Sequence, residues 1–133
     1  MIINIGMIGS RHYKHLDNIS DVMDWLEQKV FCLGYSQIKW FSGGASGVDT
    51  RVRQECEKRK NDFTEFKPDF SNGYDVQKYF DRNDLIVNKV NILIAFWDGE
   101  SHGTSYTISR AGRLGKTVLT ILDKPVNLEM LEI

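Results

Sequence analysis

The residues best suited to chemistry in this chain lie in three short turns rich in glycine and hydroxyl side chains. The longest turn runs from Ser42 to Asp49 and reads Ser-Gly-Gly-Ala-Ser-Gly-Val-Asp. Glycine lets backbone N–H groups approach an anion, and a helix that begins after such a turn points its positive dipole end at the same place. The pattern predicts a phosphate-binding turn formed by Ser42, Gly43, Gly44, Ala45 and Gly47. We expect Asp49 to hold this loop in shape rather than to act in catalysis.

A second turn, Gly9-Ser10-Arg11, follows a run of branched apolar residues that ends at Ile8. Gly9 lets the backbone approach a ligand, and Ser10 offers a hydroxyl donor. The Arg11 guanidinium matches the geometry of phosphate oxygens. A solvated loop position is the equally simple alternative for Arg11.

The third turn, from Asp98 to Thr104, follows the most apolar run of the chain and opens another helix. Either Ser101 or Thr104 suits the N-cap of that helix, and Gly99 and Gly103 keep the turn open. Asp98 and Glu100 are its carboxylates, and they are our candidates for catalysis if the protein is an enzyme. Two further ligand candidates, Arg82 and Asn83, fall in the early turns of the preceding helix.

Several common sites are disfavoured by spacing. No Gly-Lys-Ser/Thr follows the long turn, so it is not a Walker A loop, and it does not match Gly-x-Gly-x-x-Gly. His12 and His15 lack the Cys, Asp or Glu partners of a metal site. We therefore expect surface histidines, no metal and no bound cofactor.

The three turns need a scaffold that brings them together. Hydrophobic runs alternate with helical patterns as β-α-β-α-β-α-β-α-β, which predicts a three-layer, Rossmann-like, doubly wound parallel sheet of about five strands. With the order 3-2-1-4-5, the ligand crevice should open between strands one and four. The strands are expected at Ile2–Ile8, Gln37–Phe41, Phe63–Phe66, Asn91–Trp97 and Thr117–Leu122.

Helical spacing predicts which side chains are buried. The second helix should bury Val48, Val52 and Cys56. Its opposite face should be solvated and consists of Arg51, Arg53, Gln54, Glu57, Lys58 and Arg59. The fourth helix should face inward with Tyr106, Ala111 and Leu114.

The polar segment Asp69–Lys78 has no regular period and suits a lid over the crevice. Tyr74, Tyr79 and Phe80 lie in or just after it. We expect these rings to pack the loop down rather than to stack on a base.

Composition restricts the classes of protein. The chain has 133 residues, 41% of them hydrophobic, which fits one domain spanning residues 1–133. A formal charge of -1 gives no general attraction to nucleic acid or to an anionic membrane. No apolar run is long enough for a membrane span or a signal peptide. Cys32 and Cys56 are interpreted as buried free thiols, consistent with the cytoplasm.

Four segments together resemble a known family. Gly-Ser-Arg at positions 9–11, Ser-Gly-Gly-Ala-x-Gly-Val-Asp at 42–49, Arg-Asn at 82–83 and Asp-Gly-x-Ser-x-Gly-Thr at 98–104 are similar to the SLOG superfamily. The nearest branch is that of the small YspA/YpsA-like proteins. Related branches are the cytokinin-activating (LOG) phosphoribohydrolases and the DNA-processing protein DprA. The resemblance runs in order from about Ile3 to Leu122.

The resemblance implies a Rossmann-like domain that binds nucleotides or nucleotide-derived ligands. It implies phosphate-binding roles for Gly43, Gly44, Gly47, Gly103 and Thr104, and it places Ser10 and Arg11 at the matching position after the first strand. One departure concerns catalysis. The phosphoribohydrolases carry a glutamate three positions after the threonine of the second turn, where this chain has Thr107.

Three hypotheses follow. The first is a cytoplasmic module that binds a nucleotide-type small molecule, as a sensor or by sequestering a signal. The alternative is a nucleoside 5'-monophosphate N-glycosidase, for which Asp49, Asp98 and Glu100 are the available carboxylates. DNA binding of the DprA type is the weakest hypothesis. The resemblance also implies a homo-oligomer, a dimer or tetramer, for which exposed Trp and Tyr side chains could supply the interface.

Overall fold

The computed structural model describes all residues from Met1 to Ile133. Five strands alternate with four helices, and a short 3-10 turn follows the last strand. The strands are β1 (Ile2–Gly9), β2 (Gln37–Gly43), β3 (Asp62–Phe66), β4 (Ile92–Trp97) and β5 (Thr117–Leu122). The helices are α1 (Asp17–Cys32), α2 (Val48–Arg59), α3 (Gln77–Lys89) and α4 (His102–Arg113), and the 3-10 turn is η1 (Leu128–Met130).

All strand pairs are parallel, and the order across the sheet is β3-β2-β1-β4-β5. This confirms the predicted fold class and strand order. β1 ends beside β4, with Gly9 paired to Phe96, and β2 ends beside β3, with Gly43 paired to Phe66. The chain reverses its direction of winding between β1 and β4, so a crevice opens beyond their carboxyl ends.

The sheet separates two hydrophobic layers, and strand alternation assigns side chains to them. Ile3, Ile5 and Met7 of β1 join the larger cluster, which also contains the buried faces of α1 and α2. Ile8 belongs to the smaller cluster, together with residues of α3 and α4. A central strand covered on both faces must be apolar throughout, which explains why Ile2–Ile8 lacks polar alternation.

The ends of α1 and α4 follow the sequence signals, but one predicted burial near the end of α4 does not hold. Gly34 and Gly115 adopt positive φ angles just beyond α1 and α4, as expected for glycine at a helix C-terminus. The predicted inward position of Leu114 is wrong. It is the C-cap residue of α4 and is 42% exposed, because the helix has ended before its side chain can turn toward the sheet.

Two other burial expectations are corrected. Cys56 is buried, but Cys32 is exposed because it is the last residue of α1 and lies off the buried stripe. The predicted solvated face of α2 is also interrupted. Arg59 Nη1 lies 2.7 Å from Asp24 of α1, and Arg51 Nη2 lies 3.1 Å from Asp17, so these two arginines join α2 to α1.

The segment after β5 returns to the start of α1. Asn18 donates from Nδ2 to the Lys124 carbonyl and accepts at Oδ1 from the Val126 amide. Tyr13 donates to the Leu122 carbonyl at 2.9 Å. These contacts attach the β1–α1 connection, which carries Arg11, to the end of β5 and the segment that follows it. None of the helices has both the length and the hydrophobicity needed to cross a membrane.

Candidate functional site

A cleft of about 460 Å³ lies beyond the carboxyl ends of β1 and β4, at the position predicted from the strand order. Its walls come from the β1–α1 loop, the start of α2, the start of α3 and the β4–α4 turn. Most of the site residues predicted from sequence line it: Gly9, Arg11, Ala45, Asp49, Arg82, Asn83, Asp98, Glu100, Ser101, Gly103 and Thr104.

The other predicted residues stand behind or beside the cleft and do not line it. Ser42 is fully buried in β2 and donates to the Met7 carbonyl at 2.6 Å, so it joins two strands. Gly44 lies near Glu65 and Lys67, on the β3 side of the turn. Gly99 has a positive φ angle and open space around it, which suits a turn residue. Ser10, Gly43 and Gly47 lie where neighbouring turns or side chains pack closely.

The turns after β1 and β2 are in direct contact, and glycine makes this possible. A Cβ on Gly9 would stand 2.5 Å from Val48, the first residue of α2. Gly47 has a φ angle of 81°, and a Cβ there would stand 2.6 Å from the Arg11 carbonyl oxygen. Gly9 leaves room for the Val48 side chain, and Gly47 is required by its positive φ angle and by the close Arg11 backbone.

Ser10 connects the β1 turn to the β4 turn. Its backbone N–H donates to the Phe96 carbonyl, and its hydroxyl lies 3.3 Å from the Thr104 hydroxyl. The Asp98 amide donates to the same Ser10 oxygen at 3.3 Å. Ser10 is only 2% exposed, so its hydroxyl is used inside the protein. These bonds hold two of the three turns together, and the predicted contact of Ser10 with a ligand stays a prediction.

Asp98 and Ser101 shape the β4 turn. The Asp98 carboxylate accepts from the Glu100 amide at 2.9 Å and from the Ser101 amide at 2.8 Å, and these bonds lower the pKa of Asp98. Ser101 caps α4 by accepting from the Thr104 amide. The resulting turn leads into the N-terminus of α4 at the cleft, where Gly103 and Thr104 line the wall.

Two arginines approach one aromatic ring in the cleft. The Arg11 guanidinium carbon lies 5.5 Å from the centre of the Tyr79 ring, and that of Arg82 lies 5.9 Å from it. Neither guanidinium has a carboxylate oxygen within 4.0 Å. Tyr79 supplies cation–π attraction to both, but their positive charges remain unpaired.

Arg82 is largely inaccessible to solvent although it carries a charge. It is 6% exposed, donates from Nε to Asn83 at 2.7 Å, and makes a long contact of 3.4 Å from Nη1 to the Phe66 carbonyl. Burial lowers the pKa of Arg82. Burying a guanidinium with no carboxylate oxygen within 4.0 Å is costly, and the nearby Asp49 carboxylate offsets part of that cost.

Asp49 lies close to Arg82 in the cleft wall. A Cβ on Gly43 would stand 2.6 Å from Arg82 Nη1 and 2.9 Å from Asp49 Oδ2, so a side chain there would displace the ends of these two side chains. Oδ2 accepts from the Ala45 amide at 3.2 Å, whereas Oδ1 is buried without a partner. Burial raises the pKa of Asp49 to about 6, although Arg82 acts in the opposite direction.

The cleft lacks the glutamate that the phosphoribohydrolase pattern would place on α4. Thr107 stands at that position, fully buried, and its hydroxyl donates to the Gly103 carbonyl at 2.9 Å. Asp98 is occupied with the backbone of its own turn, which leaves the exposed Glu100 as the accessible carboxylate on this wall. No group of three or more His, Cys, Asp or Glu side chains is arranged to hold a metal ion.

Sequence reasoning did not assign several residues to the cleft. His12, Val76, Tyr79, Phe80 and His102 also line it. The preferred reading of Tyr79 as a packing residue is partly right, because its ring packs edge-to-face on Phe70, which also stacks on the exposed Tyr74. Its contact with Arg11 and Arg82 had no local signal, since the three residues come from separate parts of the chain.

Neither a scan against protein-family models nor a search of the curated proteins gives a match to this chain. The similarity to the SLOG superfamily therefore stays a prediction from the four segments that carry it.

Proposed function

We propose that the protein binds a nucleotide or nucleotide-derived small molecule in the cleft between the β1 and β4 turns. The observation that carries the proposal is the pair of guanidinium groups, Arg11 and Arg82, that approach one ring without a carboxylate within 4.0 Å. An anion between them would receive charge-assisted hydrogen bonds. The N-terminus of α4 opens onto the same space and adds backbone donors.

The shape of the cleft suits a ligand larger than inorganic phosphate. Its volume of about 460 Å³ falls in the usual range for small-molecule sites. Apolar side chains of Ile8, Val76 and Phe80 lie beside the charged groups. A ligand with one apolar, planar part and one phosphate part matches this division, which is why we prefer nucleotides to simple anions. The proposed ligand class includes ADP-ribose-type molecules and cyclic nucleotides.

The alternative is hydrolysis of a nucleoside monophosphate at its glycosidic bond, and Glu100 is the observation that favours it. This exposed residue lines the cleft. Against it, Thr107 is buried and bonded to the backbone where the related enzymes carry their glutamate. A retaining or inverting glycosidase needs two suitably placed carboxyl groups, and Asp98 is already committed to its turn. Binding without hydrolysis is therefore our first proposal.

DNA binding is disfavoured by the pairing of basic residues. Arg51 and Arg59, the most promising part of a basic α2 face, are tied to acidic residues of α1. Nonspecific DNA binding depends on free cations that displace the counterions of phosphates. The basic side chains that remain free of carboxylates in the cleft, Arg11 and Arg82, lie close together around one ring and do not form a stripe.

The proposal is tested by calorimetric titration of the folded protein with ADP-ribose, cyclic nucleotides and nucleoside monophosphates. We expect saturable binding of at least one compound below millimolar concentration. Changing Arg11 to Ala should weaken that binding about 10- to 100-fold, the effect of losing hydrogen bonds to a charged group. The matched control is Arg53→Ala, which removes another exposed arginine from the outer side of α2 and should leave the affinity unchanged.

The same mixtures are analysed by chromatography for free base. No base should appear if the protein only binds its ligand, whereas release that is lost in Glu100→Gln would establish the glycosidase instead. Failure of every compound to bind at millimolar concentration would reject the proposed function.

We further propose a cytoplasmic location and self-association as a dimer or tetramer. The free thiols Cys32 and Cys56 support the first, because oxidising compartments favour disulfides. Of the Trp and Tyr side chains expected at an interface, Trp40 is buried, Trp25 and Trp97 are half-buried, and Tyr74 is exposed. Exposed Phe31 and Leu33 at the end of α1 support self-association, and light scattering measures it.

A further inference from the structure

The wall of the cleft contains a buried carboxyl group with one oxygen that has no hydrogen-bond partner. Asp49 is 4% exposed, lines the cleft, and lies at the start of α2. One of its oxygens, Oδ2, accepts from the Ala45 amide, and the other, Oδ1, has no donor. A carboxylate surrounded in this way is poorly solvated, and Oδ1 is a ready position for a proton.

The charges that face Asp49 come from several elements. Arg82 of α3 is the nearby cation and favours the ionised form, as does the Ala45 amide. Glu65 of β3 opposes ionisation, and it is itself paired with Lys67 at 3.5 Å. Arg11 acts indirectly, because it repels the positive charge of Arg82. Arg82 therefore makes the largest single contribution in favour of the ionised form of Asp49.

We propose that binding of an anion in the cleft is coupled to uptake of one proton by Asp49, on Oδ1. An anion beside Arg82 cancels the positive potential that keeps Asp49 ionised, so the buried carboxylate becomes less stable and takes a proton from solvent. Covalent bonds of the ligand are unaffected. The protein would then hold its anionic ligand more tightly as the pH falls below neutral.

The coupling is reciprocal. If an anion raises the proton affinity of Asp49 by some factor, a proton on Asp49 must raise the affinity for that anion by the same factor. Burial already raises the pKa of Asp49 to about 6, so a further rise moves the transition toward neutral pH. A shift of half a pH unit corresponds to about a threefold change in affinity. This inference rests on the proposed anion binding, and the experiment separates the two.

Direct observation of the carboxyl group is needed because a pH dependence of ligand affinity is a property of the whole cleft, which His12 and His102 also line. A change in ligand affinity with pH would therefore not identify Asp49. The carboxyl carbon resonance of Asp49 in ¹³C-labelled protein, assigned by its loss in Asp49→Asn, reports this one group.

The experiment follows that resonance from pH 4 to pH 8.5 in sodium chloride, in sodium sulfate of equal ionic strength, and with ADP-ribose. Sulfate and ADP-ribose are chosen because neither carries a phosphate monoester, whose second pKa of about 6 would overlap with that of Asp49. We expect the Asp49 resonance to have its midpoint near pH 6 in chloride. With either bound anion the midpoint should rise by about half a unit or more, which is about a threefold change in proton affinity.

Backbone amides of Gly103 and Thr104 report independently whether the anion occupies the cleft. Movement of these amides with an unmoved Asp49 midpoint overturns the proton coupling but leaves the proposed function intact. No response from either the amides or Asp49 overturns both.

Two variants test the route of the coupling. Arg82→Gln removes the cation, so the Asp49 midpoint should rise without any anion, and added sulfate should no longer move it. Arg53→Ala, on the outer face of α2, is the matched control and should behave as the original protein. If Arg82→Gln does not fold, the titration of the unmodified protein still decides, because it needs no substitution.

Discussion

Single residues in the cleft combine a predicted role with an unpredicted one. Asp49 holds its loop by accepting from the Ala45 amide, as its place in the first turn of α2 indicates. Its raised pKa has no sequence signal, because it results from burial, which outweighs the opposing effect of an arginine on α3. Ser10 makes contacts to Thr104 and to the Asp98 amide that the sequence did not predict, and its predicted contact with a ligand stays a prediction.

The raised pKa of Asp49 predicts how stability depends on pH. The folded protein binds the proton more tightly than the unfolded chain, whose Asp titrates near 3.8, so burial of the carboxylate costs stability as pH rises from about 4 to about 6. The neutral amide of the variant Asp49→Asn has no such cost. Relative to the original protein, this variant should gain up to about 3 kcal/mol of unfolding free energy between pH 3.5 and pH 7.

Urea denaturation at several pH values measures this difference. Asp98→Asn is the control, and its effect on stability should have the opposite dependence on pH. The reason is that backbone hydrogen bonds lower the pKa of Asp98. The stabilisation from the ionised Asp98 is present above the pKa that this residue has in the unfolded chain, and it is lost as pH falls. The Asp98→Asn variant should therefore lose most unfolding free energy near neutral pH. A stability difference for Asp49→Asn that is constant from pH 3.5 to pH 7 would show that Asp49 is not perturbed.

At the scale of elements, the cleft depends on how closely two turns approach. α2 begins against the end of β1, with Val48 in the space that a side chain on Gly9 would need. This contact brings the start of α2, with Asp49, to the same edge as Arg11. The glycine content of each turn was visible in the sequence, but which glycines permit contact between turns depends on the three-dimensional arrangement.

Gly9→Ala tests this contact. The added Cβ would lie 2.5 to 2.7 Å from three atoms of the Val48 side chain, so α2 must move away from β1. We expect a loss of about 1–3 kcal/mol of stability, as for other overpacked sites. Binding of ADP-ribose should weaken as well, because Asp49 moves with α2.

Gly112→Ala is the matched control for the same chemical change. Gly112 lies within α4, and nothing stands within 4 Å of the place its Cβ would occupy. Alanine there should stabilise the helix by roughly 0.5–1 kcal/mol. Thermal unfolding of both variants measures the two effects, and equal behaviour would mean that the close approach at Gly9 is not a constraint.

On the scale of the whole molecule, the fold could be predicted because its signals are local and repeated. Apolar runs such as Asn91–Trp97 and the helical stripes between them lead to one familiar strand order, and that order places three turns at one edge. The alignment of Arg11, Tyr79 and Arg82 could not be predicted in the same way, because it depends on helix packing and side-chain rotamers. The packing of the last residues on α1 likewise had no periodic signal.

The central claim is that loops from separate parts of the chain form one anion-binding cleft. The most direct measurement is an amide ¹H–¹⁵N correlation spectrum of the labelled protein, titrated with ADP-ribose. We predict that the amides of Arg11, Ala45 and Thr104, one from each turn, shift together with a single dissociation constant, while that of Gly34 at the far end of α1 does not move. Shifts confined to one turn, or none at millimolar ADP-ribose, would contradict the claim.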